Sequence, residues 1–243
     1  CPELCEGVDC EQNRWHGFDV WRHTLAVVDA CEGDDILRVA ALLHDVGKPR
    51  TRERSEKTGD YTFYNHERVG AEMSDHICKR LKFSNDDRKR IVELVQHHLV
   101  CYAPEWTDAA VRRWVRRVRE ERVADLLRLA VADARGKGSD ASRDVGAMAE
   151  LEARARALLA AGAALSTRDL ALDGHALMRE LGLGAGRRVG EVLAALVEVV
   201  TEDPTANEPA RLLVEARRIH AELVASAPPE EPGGGAPRRG GGP

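Results

Sequence analysis

An adjacent pair, His44-Asp45, closes the apolar run Ala40-Ala41-Leu42-Leu43, and Val46-Gly47-Lys48-Pro49 follows at once. Burying an imidazole beside a carboxylate is costly unless something pairs with them. A divalent metal is the natural partner: Asp supplies hard oxygen and His supplies nitrogen, a combination that suits Zn, Mn or Fe. Gly47 and Pro49 stop the helix, which leaves the pair at its C-terminal end, where the two side chains can converge. One such pair is a weak signal. Its weight comes from the other candidate ligands in chain order, His23, His66, His97-His98 and Asp133, each on or beside a segment with helical character. A plainer reading stands beside each of them. His23 lies amid Leu25, Val27 and Val28 as a hydrogen-bonded core histidine would, His66 opens a helix, and Asp133 precedes a turn. His97 and His98 cannot both aim at one point from a regular helix. His97 is the one expected to ligate, with His98 facing substrate or supporting a ligand. Lys48 is too near the pair to be a ligand itself, and a cation there would hold phosphate charge during a hydrolysis.

The elements that must carry these residues read as helices. Apolar periodicity over 18–31 holds His23, and a second helix over 34–46 ends in the pair. The polar stretch 50–61, with Thr58-Gly59-Asp60, reads as an exposed hairpin or loop. Asn65 is the expected N-cap of a helix over 66–81, and Ser84-Asn85-Asp86 starts another that runs to about residue 100. Thr107 or Asp108 caps the next, a further helix ends near Ala134, and Gly136-Lys137-Gly138-Ser139 is a break. Beyond it come a helix over 141–161, a connector over 165–173, and helices over 174–181, 187–200 and 207–224. No internal repeat is visible, and the expectation is an all-α protein.

Composition sets the outer bounds. The 243 residues suffice for one large or two small domains. Net charge is −5, so a nucleic-acid contact needs a local basic patch. Two are visible: Arg187-Arg188 after the turn Gly184-Ala185-Gly186, and the stripe Arg112, Arg116 and Arg119, which share a face at helical spacing. Each has a bland counterpart, solvated arginines at a tight turn and a surface face paired with Glu120 and Glu121. No apolar run approaches the roughly 20 residues needed to span a membrane. Cys31, Cys78 and Cys101 read as small apolar fillers in a reducing cytoplasm, and Cys1, Cys5 and Cys10 match no zinc spacing. A chain that begins at Cys1 without Met reads as the downstream part of a longer protein.

The ordered set His23, His44-Asp45, His66, His97-His98 and Asp133 resembles the HD superfamily of metal-dependent phosphohydrolases. That resemblance implies a helical bundle in which His23, His44, Asp45 and Asp133 hold one metal. His66 and one of His97 and His98 hold a second, Asp45 bridges the two, and Lys48 serves the reaction. The metal is one or two ions of Mn, Ni, Fe, Co or Zn, with Mg as a further option. The segments Glu11-Gln12-Asn13-Arg14-Trp15-His16, Phe63-Tyr64-Asn65-His66-Glu67, Leu81-Lys82-Phe83-Ser84-Asn85 and Leu183 to Leu193 look like the C-terminal HD and tRNA-binding portion of bacterial tRNA nucleotidyltransferase/poly(A) polymerase proteins. Where that family usually has Pro-Gly-Pro, this chain has Ala185-Gly186-Arg187.

The implied organisation is a lead-in over 1–13, an HD domain over 14–139, a helical tRNA-binding module over 140–226 and a disordered tail over 227–243. The implied activity is 2′,3′-cyclic phosphodiesterase or phosphatase chemistry in tRNA 3′-end processing, in the cytoplasm, with Arg14, Lys48, Arg187 and Arg188 binding phosphate. Two other functions stay open: a non-catalytic RNA-positioning part of a CCA-adding enzyme, and a stand-alone nucleotide phosphohydrolase on a small phosphoester. No Gly-Ser followed by paired acids on a strand is visible, so nucleotide addition needs a head domain upstream. Oligomeric state is not legible.

Overall fold

A computed structural model describes residues 1–226; the tail expected to be disordered lies outside the described residues. The described chain is helical. Two compact units divide it, the first Cys1–Leu165 and the second beginning at Ser166.

The first unit opens with a short helix, α1 (Pro2–Cys5), and a looped segment that leads into α2 (Val20–Ala30). Asp19 caps α2 by accepting from the Arg22 backbone N–H. Then come α3 (Asp35–Leu43), capped by Asp34, and α4 (Lys48–Thr51), with Pro49 in its first turn. A hairpin of two-residue strands, β1 (Glu53–Arg54) and β2 (Tyr61–Thr62), pairs antiparallel with Glu53 opposite Thr62. Four longer helices follow: α5 (His66–Arg80), α6 (Asn85–His97), α7 (Asp108–Val118) and α8 (Glu120–Gly136). Ser84 caps α6 and Thr107 caps α7 through their side chains. Asn65 stands before α5 but does not cap it. It sits at φ 61°, a left-handed conformation that Asn tolerates, and makes no capping bond.

Apolar positions three and four apart put one stripe of each helix into a common core. Leu37, Leu43, Ile77, Ile91, Leu94, Leu126 and Leu129 are fully buried there. Truncating any one to Ala costs about 2–5 kcal/mol, because the close-packed surroundings collapse only in part. α5 packs on α6, α2 on α8, and α3 on both α2 and α6. That arrangement gathers the ends of α2, α3, α5, α6 and α8. The helix α9 (Ser142–Ala160) packs on α7 and α8 with Met148, Leu151 and Ala155 buried. The first unit therefore extends past the Gly136–Ser139 break, to Leu165.

The second unit contains α10 (Gly174–Leu181), α11 (Arg187–Glu202) and α12 (Pro209–Ala225) around Leu177, Leu196 and Leu212. Asn207 ties its connectors together, donating from Nδ2 to the Asp169 carbonyl at 2.9 Å and accepting from the Ala171 N–H at 2.8 Å. Cys31 and Cys78 are buried as expected; Cys101 is exposed, in the extended link after α6, and fills no core.

Candidate metal centre

The helix α3 ends at Leu43, and the next four residues form a tight turn in which the Lys48 N–H donates to the Asp45 carbonyl at 2.9 Å. Gly47 makes that turn possible through close approach. Its φ is −79°, open to any residue, but a Cβ there would lie 2.3 Å from the His66 carbonyl oxygen and 2.6 Å from the Gly70 nitrogen. Backbone thus lies on backbone, and the start of α5 is brought against the His44-Asp45 turn. Gly136 does the same for α8, since a Cβ on it would meet Val27 Cγ2 of α2 at 2.5 Å.

Four imidazoles converge as a result. His23, His44, His66 and His98 are all buried. Each directs Nδ1 at a backbone carbonyl: His23 at Gly136 (3.1 Å), His44 at Ala41, His66 at Phe63 and His98 at Val95 (2.7 Å each). A carbonyl only accepts, so the proton of each neutral ring is on Nδ1 and the lone pair is on Nε2. The Nε2 atoms then face one another, 3.4 Å apart for His23 and His44 and 3.3 Å apart for His66 and His98. Two bare lone pairs at that distance repel unless a cation lies between them, and a carbonyl behind each ring is the orientation that metal-binding histidines adopt.

Asp45 stands between the two pairs. Its Oδ2 lies 3.4 Å from His23 Nε2 and 3.2 Å from His44 Nε2, and its Oδ1 lies 3.4 Å from His66 Nε2 and 3.7 Å from His98 Nε2. Asp133 joins the first pair, its Oδ1 3.0 Å from His23 Nε2 and 3.7 Å from His44 Nε2. With metal–ligand bonds of about 2.1 Å, neighbouring ligand atoms stand about 3.0 Å apart in an octahedron and about 3.4 Å apart in a tetrahedron. The observed spacings bracket those values. Among the described residues, the groups able to hold a metal are His23-His44-Asp45 and Asp45-His66-His98. The buried Oδ2 of Asp45 receives no well-directed hydrogen bond although Lys48 Nζ is 2.7 Å away, so it keeps a lone pair for a cation. The donor set fits a divalent ion on each side of Asp45.

Burial and the neighbouring charges shift the pKa values of these side chains. Burial alone would raise the pKa of Asp45, but His44 and Lys48 overcome it and hold the carboxyl well below its ordinary range. Burial would likewise raise Asp133, and the adjoining His23, His44 and Lys137 side chains hold it down. Burial pushes His98 down to about 3, aided by the charge of His44, and lowers His66 as well, so both rings are neutral at neutral pH. His44 is held above its ordinary value, because Asp45 beside it outweighs the burial.

Of the adjacent histidines, the structure turns His98 and not His97 towards the cluster. α6 ends at His97, and His98, one step of about 100° further on, turns inward as the C-cap. His97 is half-buried on another face, where burial and the Arg117 charge lower its pKa. Lys48 is buried: it donates to Gln12 Oε1 at 2.7 Å, lies 5.6 Å over the Phe63 ring, and faces a pocket of about 340 Å³ that opens onto Asp45, His66, His98 and Asp133.

Arg14 does not line that pocket; it reaches Asp60 at 2.9 Å and pins the hairpin to the looped N-terminal segment. Arg187 and Arg188 belong to the second unit, in the first turn of α11, where Glu191 pairs with them at 2.7 and 3.5 Å. The stripe on α7 also differs. Arg112 is buried, and Arg119 lies past the helix end, paired with Glu93 at 2.9 Å, which leaves Arg113, Arg116 and Arg117 on the outer face.

Two residues at the pocket went unnoticed in the sequence. His16 stands edge-on to His23 with ring centroids 5.1 Å apart, donates from Nδ1 to Asn13 Oδ1 at 2.8 Å, and has its pKa pushed down to about 4 by burial and by Lys48. Lys137 also lines the pocket, with Nζ 3.3 Å from Asp133 Oδ2. Lys137 lies one turn beyond Asp133, a spacing that could have flagged it.

Comparison with known proteins fits this geometry. Residues 20–135 match the family model of the HD domain, from the first residue of α2 to the last turn of α8, and contain all six converging side chains. The chain is 41% identical over 202 residues to the A-adding tRNA nucleotidyltransferase of Deinococcus radiodurans, covering 81% of this chain and 46% of that protein. It is 33% identical over 240 residues to the CC-adding tRNA nucleotidyltransferase of Thermus thermophilus, covering 95% and 52%. A multifunctional CCA protein of Xanthomonas oryzae is 34% identical over 147 residues, covering 58% and 34%. The chain thus spans about half the length, or less, of the curated relatives it matches. It carries an HD domain over residues 20–135 and, across most of its length, is similar to the tRNA nucleotidyltransferases.

Proposed function

We propose that this chain is a metal-dependent phosphohydrolase module, acting as a 2′,3′-cyclic phosphodiesterase or phosphatase within a tRNA nucleotidyltransferase-like protein of the cytoplasm. One observation carries the reading: four carbonyl-oriented imidazoles aim bare Nε2 atoms at the two oxygens of one buried carboxylate. His23, His44, Asp45 and Asp133 would hold one ion and Asp45, His66 and His98 a second, with Mn, Ni, Fe, Co and Zn all suited to such a set. A divalent ion bound there supplies Lewis acidity and an acidified water.

The chain's own residues supply the rest. Lys48 and Lys137 both line the pocket and would present two positive charges to a phosphate. Phe63 keeps the Lys48 ammonium in place from below, and Gln12 holds one of its protons. His16, beside His23, offers a polar atom at the pocket wall to a sugar hydroxyl or a water.

A second reading is favoured by the names of two of the relatives, an A-adding and a CC-adding tRNA nucleotidyltransferase. In it the module positions tRNA and hydrolyses nothing. Turnover of 2′,3′-cyclic AMP and bis-p-nitrophenyl phosphate with added Mn, Ni or Co separates the two. Hydrolysis that disappears in His44→Ala supports the hydrolase; tRNA binding without any hydrolysis under these ions selects the positioning role.

A further inference from the structure

The helix α7 presents its arginines to a second depression. A groove of about 660 Å³ is lined by Leu99, Trp106, Arg113, Trp114, Arg116 and Arg117. Leu99 also lines the pocket over the metal ligands, so the two cavities adjoin across one residue. His98, directly before it, points into the metal cluster, while His97 lies within reach of the Arg117 charge. The C-terminal end of α6 is thus a ridge with the metal ligands on one side and an arginine-lined groove on the other.

We propose that this groove holds the single-stranded RNA that leads to a scissile 3′-terminal phosphate seated in the metal pocket. The inference rests on the phosphohydrolase reading above and deepens it by naming a polynucleotide, not a free nucleotide, as substrate. Three features argue for a nucleic-acid strand. Arg113, Arg116 and Arg117 recur at the three- and four-residue spacing that lays them along one helix face, as a string of phosphates requires. Trp106, only half-buried, offers a ring edge or face to a base, and Trp114 forms an apolar floor. The metal pocket, about 340 Å³, is near the lower end of ligand-site volumes and suits one terminal group, so the rest of a strand needs a second surface. RNA is specified over DNA because only a ribose 2′-hydroxyl can close a 2′,3′-cyclic phosphate.

The test is fluorescence anisotropy of the full chain with a 5′-labelled single-stranded RNA of about a dozen nucleotides ending in a 2′,3′-cyclic phosphate, over a range of salt. Wild type should bind with a steep salt dependence. The exposed double variant Arg113→Gln/Arg117→Gln should bind about tenfold more weakly, and its log–log salt slope should be shallower by about 1.4, at about 0.7 for each phosphate no longer neutralised. Arg117→Lys, which keeps the charge, should restore most of the single Arg117→Gln loss. A double variant with wild-type affinity and slope, or a wild type that does not bind the RNA, overturns the groove assignment. Hydrolysis of bis-p-nitrophenyl phosphate by the wild type, measured alongside, reports on the phosphohydrolase reading alone, so the two can fail separately.

Discussion

Replacing Gly47 with Ala adds one carbon at the point where the ligand turn meets α5. That carbon would stand 2.3 Å from the His66 carbonyl oxygen and 2.6 Å from the Gly70 nitrogen, and neither backbone atom can rotate away. Opening the nearer gap to 3.4 Å, where contact becomes ordinary, moves backbone by about 1.1 Å. Overpacking of this kind costs about 1–3 kcal/mol. The φ of −79° suits Ala, so about 0.4–1 kcal/mol returns through the unfolded chain, leaving a net loss of about 1–2 kcal/mol. For a chain of this size that lowers the melting temperature by roughly 2–8 °C.

The effect on metal is larger. Whichever side yields, the 3.4 Å separation of His66 Nε2 from Asp45 Oδ1 changes, and coordination tolerates only about 0.2 Å. The ion on the His66–His98 side should bind about 10- to 100-fold more weakly, while the ion on the His23–Asp133 side is retained. Elemental analysis after dialysis against a range of free metal, together with a melting curve, reads both. A variant that keeps two ions at wild-type affinity and melts within 1 °C of wild type refutes the claim that close backbone approach at Gly47 builds the second site.

Gly146, exposed in α9 with nothing near its added Cβ, is the converse case: Gly146→Ala should stabilise the protein by about 0.5–1 kcal/mol in urea unfolding. His98→Ala should remove one ion and His97→Ala none, since only His98 points inward; equal losses from the two variants would contradict that assignment. His16, depressed to about 4 by burial, binds fewer protons folded than unfolded between pH 6.5 and 4, so its contribution to stability falls as the pH is lowered through that window. Half-burial limits the effect to about 1–2 kcal/mol, and His16→Gln should flatten the pH dependence of the urea midpoint there, whereas an unchanged slope contradicts it.

The fold was legible because apolar periodicity and helix-start residues survive into the structure: Ser84 and Thr107 cap the helices they open, although Asn65 makes no capping bond. Of the candidate residues, the structure brings together His23, His44-Asp45, His66 and Asp133, which sequence places on or beside four separate helices. The site was not legible where the outcome depends on the last residue of a helix. Whether His97 or His98 turns inward is decided by α6 ending one residue before His98, a boundary that sequence places only within a turn. The same uncertainty misplaced the arginine stripe, because α7 ends before Arg119. His16 and Lys137 were hidden for another reason, since each reaches the pocket from a segment whose path is set by tertiary contact: Gly17 N–H donates to the Lys137 carbonyl at 3.2 Å and joins the two. Gly47 and Gly136 read as helix stops, but their main contribution is room for a neighbouring backbone or side chain.

The most direct test of the centre is the metal content of the purified chain, compared with Asp45→Ala and with His66→Ala/His98→Ala. A carboxylate shared by both ligand groups predicts about two equivalents of transition metal in the wild type, about one in the double histidine variant and near zero in Asp45→Ala. A wild type that stays metal-free after incubation with Mn, Ni, Co, Fe and Zn, or an Asp45→Ala chain that keeps its ions, would contradict the account.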